Sequence, residues 1–370
     1  VIAIGTGAGT GSNSTQSIYM GNDATGTGTQ NIVLGYKSVS QADNGVVIGA
    51  TAKAGAKLSV AIGANSSAAG GNAVALGGNT DAAGASAVAI GGGTGASTGA
   101  KAAGASAIAL GSNANAAGQR AIAIGEVALS QGPYSTAMGG KAQAVGTSSI
   151  AIGSTQNMSP TVAQGHYSIA IGHQAQALGG VGAQNTIAIG SSSTAAKIRA
   201  IAVGLESMAS DENTLAVGYQ ANAAAKGATA LGMGTQATAM SSIAIGKESI
   251  ASAETATSFG QNSKATANNA VAIGNKAVAA GTGNIVVGTN AGVYDDAVSA
   301  GRTVGADTVY IGADSGRNAY SNERQISIGK GTGNNATGVD NIALGWRSGA
   351  FVSGANNVAI GKEAGMGTDA

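Results

Sequence analysis

A pattern of a large apolar residue, a small residue, a second large apolar residue and glycine recurs along the whole chain. It begins as Ile2-Ala3-Ile4-Gly5 and, counting near-matches, occurs 24 times in 370 residues. We call this pattern the tetrad. Fifteen of the 23 intervals between successive tetrad glycines are 14 residues long. A short fixed period is typical of proteins in which each repeat forms one unit that stacks on its neighbours.

The residues around each tetrad glycine predict two short β-strands per repeat. Small residues stand two and four positions before it, such as Ala61 and Ser59 before Gly63, and large apolar residues stand one and three positions before it. Alternation with period two and with β-branched residues is typical of a strand with two different faces. After the glycine, the third and fifth positions are small, as at Ser66 and Ala68, and the fourth is unrestricted, which predicts a second strand.

One repeat therefore predicts one flattened coil of a β-solenoid, with two strands and two tight turns. The small side chains face each other inside the coil, and the large apolar ones point outward. Glycine seven positions after the tetrad glycine, as at Gly84, Gly118 and Gly132, is expected to supply positive φ in the second turn. The stacked coils would expose an apolar face far larger than the few hundred Å² usual for a monomer, so the same face of another copy is its expected partner.

The composition favours one extended assembly over a compact enzyme. Glycine accounts for 63 residues and charged residues for 9%, without the every-third-residue spacing of collagen. Large β-branched residues at fixed spacing argue against disorder. The net charge of +1 gives no field that would attract nucleic acid or an anionic membrane. The chain opens inside a tetrad without a signal peptide, and we interpret it as a fragment of a longer protein.

Residue groups that could carry catalysis or hold a metal are weak in this sequence. His166 and His173 lie seven residues apart with no acidic residue nearby, and we interpret them as solvated side chains. The acidic residues around Asp295 lack the spacing of known calcium loops. Gly-Lys pairs are never followed by Ser or Thr, which excludes a phosphate-binding loop. We predict no enzymatic activity, no metal and no cofactor.

The repeat stretches at several places, where inserted loops would leave the edge of a coil. The longest interval, from Gly288 to Gly312, is 24 residues, and the spacing later settles at 16. We predict mostly 14-residue coils over 1–290, an irregular insertion or junction over 291–325, and further coils of 16-residue repeats over 326–370. Loops often carry binding, and Tyr and Arg are enriched at interfaces. The candidate adhesion residues are His166, Tyr167, Tyr294, Arg302, Arg317, Tyr320 and Arg324.

The tetrads resemble the head repeats of the trimeric autotransporter adhesins, the YadA-like family of bacterial surface proteins. The family repeat, Ser or Ala followed by Val-Ala-Ile-Gly, appears as Ser59 to Gly63 and again at 86–91, 149–153 and 168–172. This resemblance implies a left-handed parallel β-roll, a homotrimer, and adhesion to host matrix, cells or abiotic surfaces. It also implies the bacterial cell surface as location, with outer-membrane anchoring through a C-terminal region outside this fragment.

In such a homotrimer the large tetrad residues would face the core between the chains. The residues that we expect there are Ile62, Leu76, Ile90, Ile124, Ile152 and Ile245. Adhesion would use many shallow contacts rather than a deep pocket, because stacked coils offer flat ladders and looped edges. The fourth position after the tetrad glycine repeats about every 4.8 Å along the stack. Apolar residues at that position are Leu129, Met208, Ile250 and Val278.

Two other functions are compatible with a solenoid of this kind. Similar repeats occur in phage tail-fibre proteins, so a tail-fibre segment is an alternative that this chain does not exclude. An ice-binding solenoid is a further alternative, but it would need a regular threonine face. The Thr-rich stretch 25–29 is local and does not recur in each coil.

Overall fold

The computed structural model describes residues 1–10, 14–95, 98–154, 159–179, 184–293, 305–320 and 323–367. Within these ranges the regular structure consists of short β-strands and isolated bridges, with no helix. The chain forms two compact units, Val1–Ser192 and Ser193–Ala370. The all-β fold predicted from the tetrads is therefore confirmed for the described residues.

In the first unit each tetrad forms a three-residue strand, and most coils add a two-residue strand after it. The three-residue strands are Ile2–Ile4, Ile18–Met20, Ile32–Leu34, Val46–Ile48, Val60–Ile62, Val74–Leu76, Val88–Ile90, Ile108–Leu110, Ile122–Ile124, Thr136–Met138, Ile150–Ile152, Ile169–Ile171 and Ile187–Ile189. The two-residue strands are Thr25–Gly26, Val39–Ser40, Lys53–Ala54, Ser67–Ala68, Asp81–Ala82, Lys101–Ala102, Asn115–Ala116, Leu129–Ser130, Gln143–Ala144, Val162–Ala163 and Gln176–Ala177.

The second unit follows the same plan up to its last coils. Its three-residue strands are Ile201–Val203, Leu215–Val217, Thr229–Leu231, Ile243–Ile245, Thr257–Phe259, Val271–Ile273, Ile285–Val287, Val309–Ile311, Ile326–Ile328, Ile342–Leu344 and Val358–Ile360. Its two-residue strands are Thr194–Ala195, Met208–Ala209, Asn222–Ala223, Gln236–Ala237, Ile250–Ala251, Lys264–Ala265 and Val278–Ala279.

Strands of the same kind pair in parallel, so each regular coil adds one strand to each of two sheets. Ala75 pairs with Ala61 in the first sheet, and Ala82 with Ala68 in the second. Insertions leave the register intact, since Ile285 pairs with Val309 across the longest interval. These pairings confirm the two-strand parallel solenoid. The left hand of the coil, the homotrimer and the division at 291–325 stay predictions.

The space between the two sheets is filled by small side chains. Ala61 and Ala68 are completely buried, which confirms the predicted facing of the small positions. At the corners most hydroxyls are satisfied locally, as where Ser66 Oγ donates to the Gly63 carbonyl at 2.8 Å, whereas the buried hydroxyls of Thr186, Ser249 and Thr308 have no hydrogen-bond partner among the described residues. A buried hydroxyl without a partner would cost about 1–3 kcal/mol, so these bonds explain why serine and threonine are tolerated inside the coil.

Each regular coil has positive φ at its tetrad glycine, such as Gly63 (φ 130°), and at one residue in each of its two turns. The turn residues are mostly not glycine. They stand two after one tetrad glycine and five before the next, as at Asn65 (φ 57°) and Asn72 (φ 58°). Gly118 was expected to supply the second turn in this way, but it does not have positive φ. A Cβ at Gly118 would lie 2.2 Å from the carbonyl oxygen of Gly132. The prediction about φ is wrong, and glycine is needed there because the backbones of successive coils approach closely.

The described coils after Gly288 close differently, because glycine replaces the residue that begins the second strand. Gly316, at the fourth position after its tetrad glycine, has φ +66°, and a Cβ there would lie 2.5 Å from the ring of Tyr310. Positive φ ends the extended conformation at this point. Isolated bridges at Tyr320 and Thr337 stand where the second sheet would continue.

Candidate adhesive surface

The large tetrad side chains form an apolar face on the outside of the three-residue strands. Ile124 lies between Leu110 and Met138 of the neighbouring coils, in register. The exposed large tetrad residues are Ile2, Ile4, Met20, Ile32, Ile48, Leu76, Ile108, Leu110, Met138, Ile152 and Ile189 in the first unit, and Ile243, Phe259, Ile273, Ile285, Ile311, Ile326, Ile328, Val358 and Ile360 in the second. We call this surface, in either unit, the tetrad face.

The residues expected in a trimer core all lie on the tetrad face. Leu76 is 41% exposed and Ile152 is 37% exposed, although both are large and apolar. The others, which are half-buried by stacking along the coil, are Ile62, Ile90, Ile124 and Ile245. Contact of these residues with a second chain stays a prediction.

The outer face of the two-residue strands, which we call the second face, carries both polar and apolar side chains. Met208 is 47% exposed, and Leu129 is half-buried. Lysine occupies the same position at Lys53, Lys101 and Lys264. This second face can therefore stay in water, whereas the tetrad face has little polar character.

A shallow depression lies on the second face near the start of the first unit. It has a volume of about 290 Å³ and is lined mainly by Thr10, Thr25, Thr27, Val39 and Gln41. It contains no charged side chain, so it offers only hydroxyl and amide groups to a ligand.

The turns carry side chains in columns, because residues one period apart lie in adjacent coils. Lys57 Nζ lies 3.2 Å from Asp43 Oδ2, and Lys226 Nζ lies 3.0 Å from Glu212 Oε2. The pKa of Asp43 is lowered, mainly by the backbone N–H of Thr29 and next by Lys57. Exposed pairs of this kind contribute little stability individually.

His166 and Tyr167 lie in the turn before their tetrad, where both are exposed and Tyr167 is 54% exposed. The Nδ1 atom of His166 accepts a hydrogen bond from the Thr147 backbone N–H at 3.1 Å, which holds the ring against the preceding coil. His173 follows the tetrad glycine and belongs to the opposite turn. The structure therefore places His166 and Tyr167 on the same turn and His173 on the opposite one.

The candidates from 291–325 differ in their accessibility. Tyr320 is only 3% exposed, so its assignment as a surface anchor is wrong, because its side chain packs inside the coil. Arg324 is exposed, and its guanidinium donates to both carboxylate oxygens of Asp340 at 2.7 and 3.0 Å. Arg317 is half-buried. Tyr294 and Arg302 lie outside the described residues.

Among the described residues, four exposed aromatic residues outside the tetrads were not assigned a role from the sequence, namely Tyr36, Tyr134, Tyr219 and Trp346. The Tyr134 ring is 50% exposed and lies 5.5 Å from the Arg120 guanidinium. Trp346 is 43% exposed and is the only tryptophan in the chain. A single tryptophan in a chain with 3% aromatic residues is the sequence signal that could have identified Trp346.

In the part of the chain that the structure describes, no three His, Asp or Glu side chains are grouped closely enough to hold a metal ion. In the same residues, no helix has the length and apolar character needed to cross a membrane.

The repeats match the family model described as YadA head domain repeat (2 copies). The matched residues are 54–80, 68–94, 102–125, 130–155, 163–180, 182–207, 209–235, 227–249, 237–263, 251–277 and 265–291, which together cover more than half of the chain. The chain belongs to the YadA head family. Domains of this family form a cell-surface region of autotransporter adhesins, and the family is not a family of enzymes. The comparison with curated proteins found no match.

YadA head membership is consistent with the structural period. The matches overlap along 209–291, where successive coils are regular, and they end at residue 291. The coils with glycine at the fourth position after the tetrad, such as those of Gly316, Gly333 and Gly349, lie beyond the matched residues. Family membership implies an adhesin-type function for the chain.

Proposed function

We propose that this chain is the adhesive head of a trimeric autotransporter on the bacterial cell surface, anchored in the outer membrane by a region outside this sequence. It acts as a homotrimer and binds host matrix, cells or abiotic surfaces through many shallow contacts. The observation that carries this proposal is the exposed tetrad face, of which Leu76 and Ile152 are examples.

The tetrad face supports self-association for two reasons. Its burial would be favourable by about 25 cal/mol for each Å² of apolar surface removed from water. Each coil also repeats the same small set of side chains in register, as at Leu110, Ile124 and Met138, so the face of one copy matches that of another. Three copies around one axis would bury this face in every chain.

The second face and the two turns would then remain available for adhesion. Their side chains are spaced by one coil, about 4.8 Å, an arrangement suited to shallow contacts rather than to a deep site. Weak contacts multiplied over many coils and three chains can give strong attachment, because linked binding events raise the effective concentration. The exposed Met208, Tyr167 and Arg324 are examples of such contacts.

The segment 291–325 is the local candidate for adhesion, together with the turn at His166 and Tyr167. The experiment replaces 291–325 by residues 235–256, which keep the plain 14-residue spacing from Gly288 to the inserted tetrad glycine and from there to Gly329. Adhesion of intact trimers to collagen-coated, cell-coated and plastic surfaces is then measured. A loss of adhesion with trimers intact supports a local site in the segment. Unchanged adhesion would remove that site and leave only the distributed surface.

The homotrimer is tested separately by the mass of the chain in solution. The proposal requires a stable trimer at micromolar concentration. A stable monomer would contradict it, whatever the adhesion assay shows.

A further inference from the structure

Lys330, Trp346 and Lys362 occupy the same position, one after the tetrad glycine, in three successive coils of the second unit. Backbone hydrogen bonds fix this register. The Arg347 N–H donates to the Lys330 carbonyl at 3.0 Å, and the Glu363 N–H donates to the Trp346 carbonyl at 2.9 Å. The three side chains therefore form a column on one turn, with neighbours about 4.8 Å apart at the backbone.

The indole of Trp346 lies among cations. Lys362 Nζ is 4.8 Å from the ring centroid, and Arg347 Cζ is 5.9 Å from it. Both distances are within the range of cation–π attraction. Trp346 is 43% exposed, and Lys330, Arg347 and Lys362 are all exposed. A large aromatic surface and three positive charges are thus presented to solvent on one turn.

In the part of the chain that the structure describes, these cations have no carboxylate partner, unlike Lys57 and Lys226, which pair with Asp43 and Glu212 of the preceding coils. Arg324 is paired with Asp340 on the other turn of the same coils. Among the described residues, none places a carboxylate within ion-pair distance of Lys330, Arg347 or Lys362. Within 329–363, one acidic residue lies on this turn, Glu363, which follows Lys362 in the sequence. The turn is therefore locally cationic in a chain whose net charge is only +1.

We propose that the turn formed by Lys330, Trp346, Arg347 and Lys362 binds an anionic polysaccharide. The cations would pair with sulfate or carboxylate groups, and the indole would pack against the apolar face of a pyranose ring. The column runs along the stacking direction, so an extended polymer with regularly spaced charges can follow it. An acidic peptide would use the charges but has no need for the exposed indole. This site lies outside 291–325 and does not depend on the adhesion proposed above.

Tryptophan emission reports on this site alone, because Trp346 is the only tryptophan in the chain. The full chain is titrated with heparin, with uncharged dextran, with poly-glutamate, and with phosphatidylserine vesicles. We expect a saturable change of emission with heparin only, with a midpoint that weakens as NaCl is raised, because exposed charges are screened within about 10 Å at 0.1 M salt. No response to heparin, or an equal response to poly-glutamate or to the vesicles, would overturn the proposal.

Matched variants separate the site from general charge. The triple variant Lys330→Gln, Arg347→Gln, Lys362→Gln should raise the heparin midpoint by about ten-fold, the combined effect of three exposed ion pairs. The control Lys53→Gln, Lys101→Gln, Lys264→Gln changes net charge equally on the second face and should leave the midpoint within about two-fold. Equal loss in both variants would overturn the proposal. If circular dichroism shows that the first triple variant does not fold, the single variant Lys362→Gln is used instead. It should weaken heparin binding about two- to three-fold. An unchanged heparin midpoint for Lys362→Gln would overturn the proposal.

Discussion

Gly26 faces the ring of Tyr19 across the coil interior. A Cβ at Gly26 would lie 3.2 Å from both Cε1 and Oη of Tyr19. Tyr19 is completely buried, and its hydroxyl donates to Ser14 Oγ at 2.9 Å. In a regular coil the same two positions hold Ala61 and Ala68. In this coil the large Tyr19 is therefore accommodated by the absence of a side chain at Gly26.

Gly26→Ala should destabilise the chain by about 1–3 kcal/mol, because the added methyl would lie 2.6 Å from the Ser40 carbonyl oxygen and 3.2 Å from the ring of Tyr19. Tyr19→Ala should cost about 3–5 kcal/mol through the cavity that it leaves. The double variant restores the alanine pair of a regular coil and should be more stable than the sum of the two losses predicts, by about 0.5–3 kcal/mol. Urea unfolding of the four proteins measures this coupling. Strict additivity would show that the two positions do not share one space.

Ala61→Leu should be more destabilising than Ile62→Val. Ala61 is completely buried between two thin sheets, and overpacking there typically costs about 1–3 kcal/mol. Ile62 is half-buried on the tetrad face, so the loss of one methylene should cost about 0.5–1.5 kcal/mol or less. Melting temperatures of the two variants compare them directly. Equal melting temperatures would contradict the inward and outward facing of this strand.

Gly118→Ala should destabilise the first unit, although alanine is a mild substitution elsewhere. Its Cβ would lie 2.2 Å from the Gly132 carbonyl oxygen, so the coils would have to separate at a cost of about 1–3 kcal/mol. Gly227→Asn is the matched control, since Gly227 has φ +70° and its Cβ would meet nothing closer than 3.5 Å. Asparagine tolerates this conformation, so the control should be neutral or slightly stabilising. The reverse order of stability would contradict the two roles given to glycine.

The tetrads were sufficient to predict the strands and their register, because one position in two is restricted by burial and the period repeats. They were not sufficient to assign the role of each glycine. Positive φ at Gly227 and close backbone approach at Gly118 both exclude a side chain, and only interatomic distances distinguish them. Tyr320 was misassigned for a related reason, since an irregular spacing gives no alternation from which to decide the facing of a residue.

The pair Arg324 and Asp340 should make stability depend on pH in the acid range. The Arg324 guanidinium, which donates two hydrogen bonds to Asp340, lowers the pKa of that carboxyl. The folded chain therefore holds the Asp340 proton less tightly than the unfolded chain. The added stability is present above the unfolded pKa of about 3.9 and is lost as pH falls through the lower folded pKa.

Urea midpoints of the parent chain and of Asp340→Asn measure this effect at pH 7 and at pH 2. The parent should have the higher midpoint at pH 7, and the difference should shrink at pH 2. The variant Arg324→Gln should remove most of the pH dependence that Asp340 contributes. A difference between parent and Asp340→Asn that is the same at both pH values would contradict the role of this pair.

Sedimentation equilibrium measures whether the tetrad face holds three chains together. The parent should have a mass of about 104 kDa, three times 34.8 kDa. Ile124→Glu should dissociate it, because three carboxylates would enter one apolar core at a cost of several kcal/mol. Leu129→Glu, on the second face of the same coil, should leave the trimer intact. A parent mass of about 35 kDa, or dissociation by Leu129→Glu rather than by Ile124→Glu, would show that the tetrad face does not form the contact between chains.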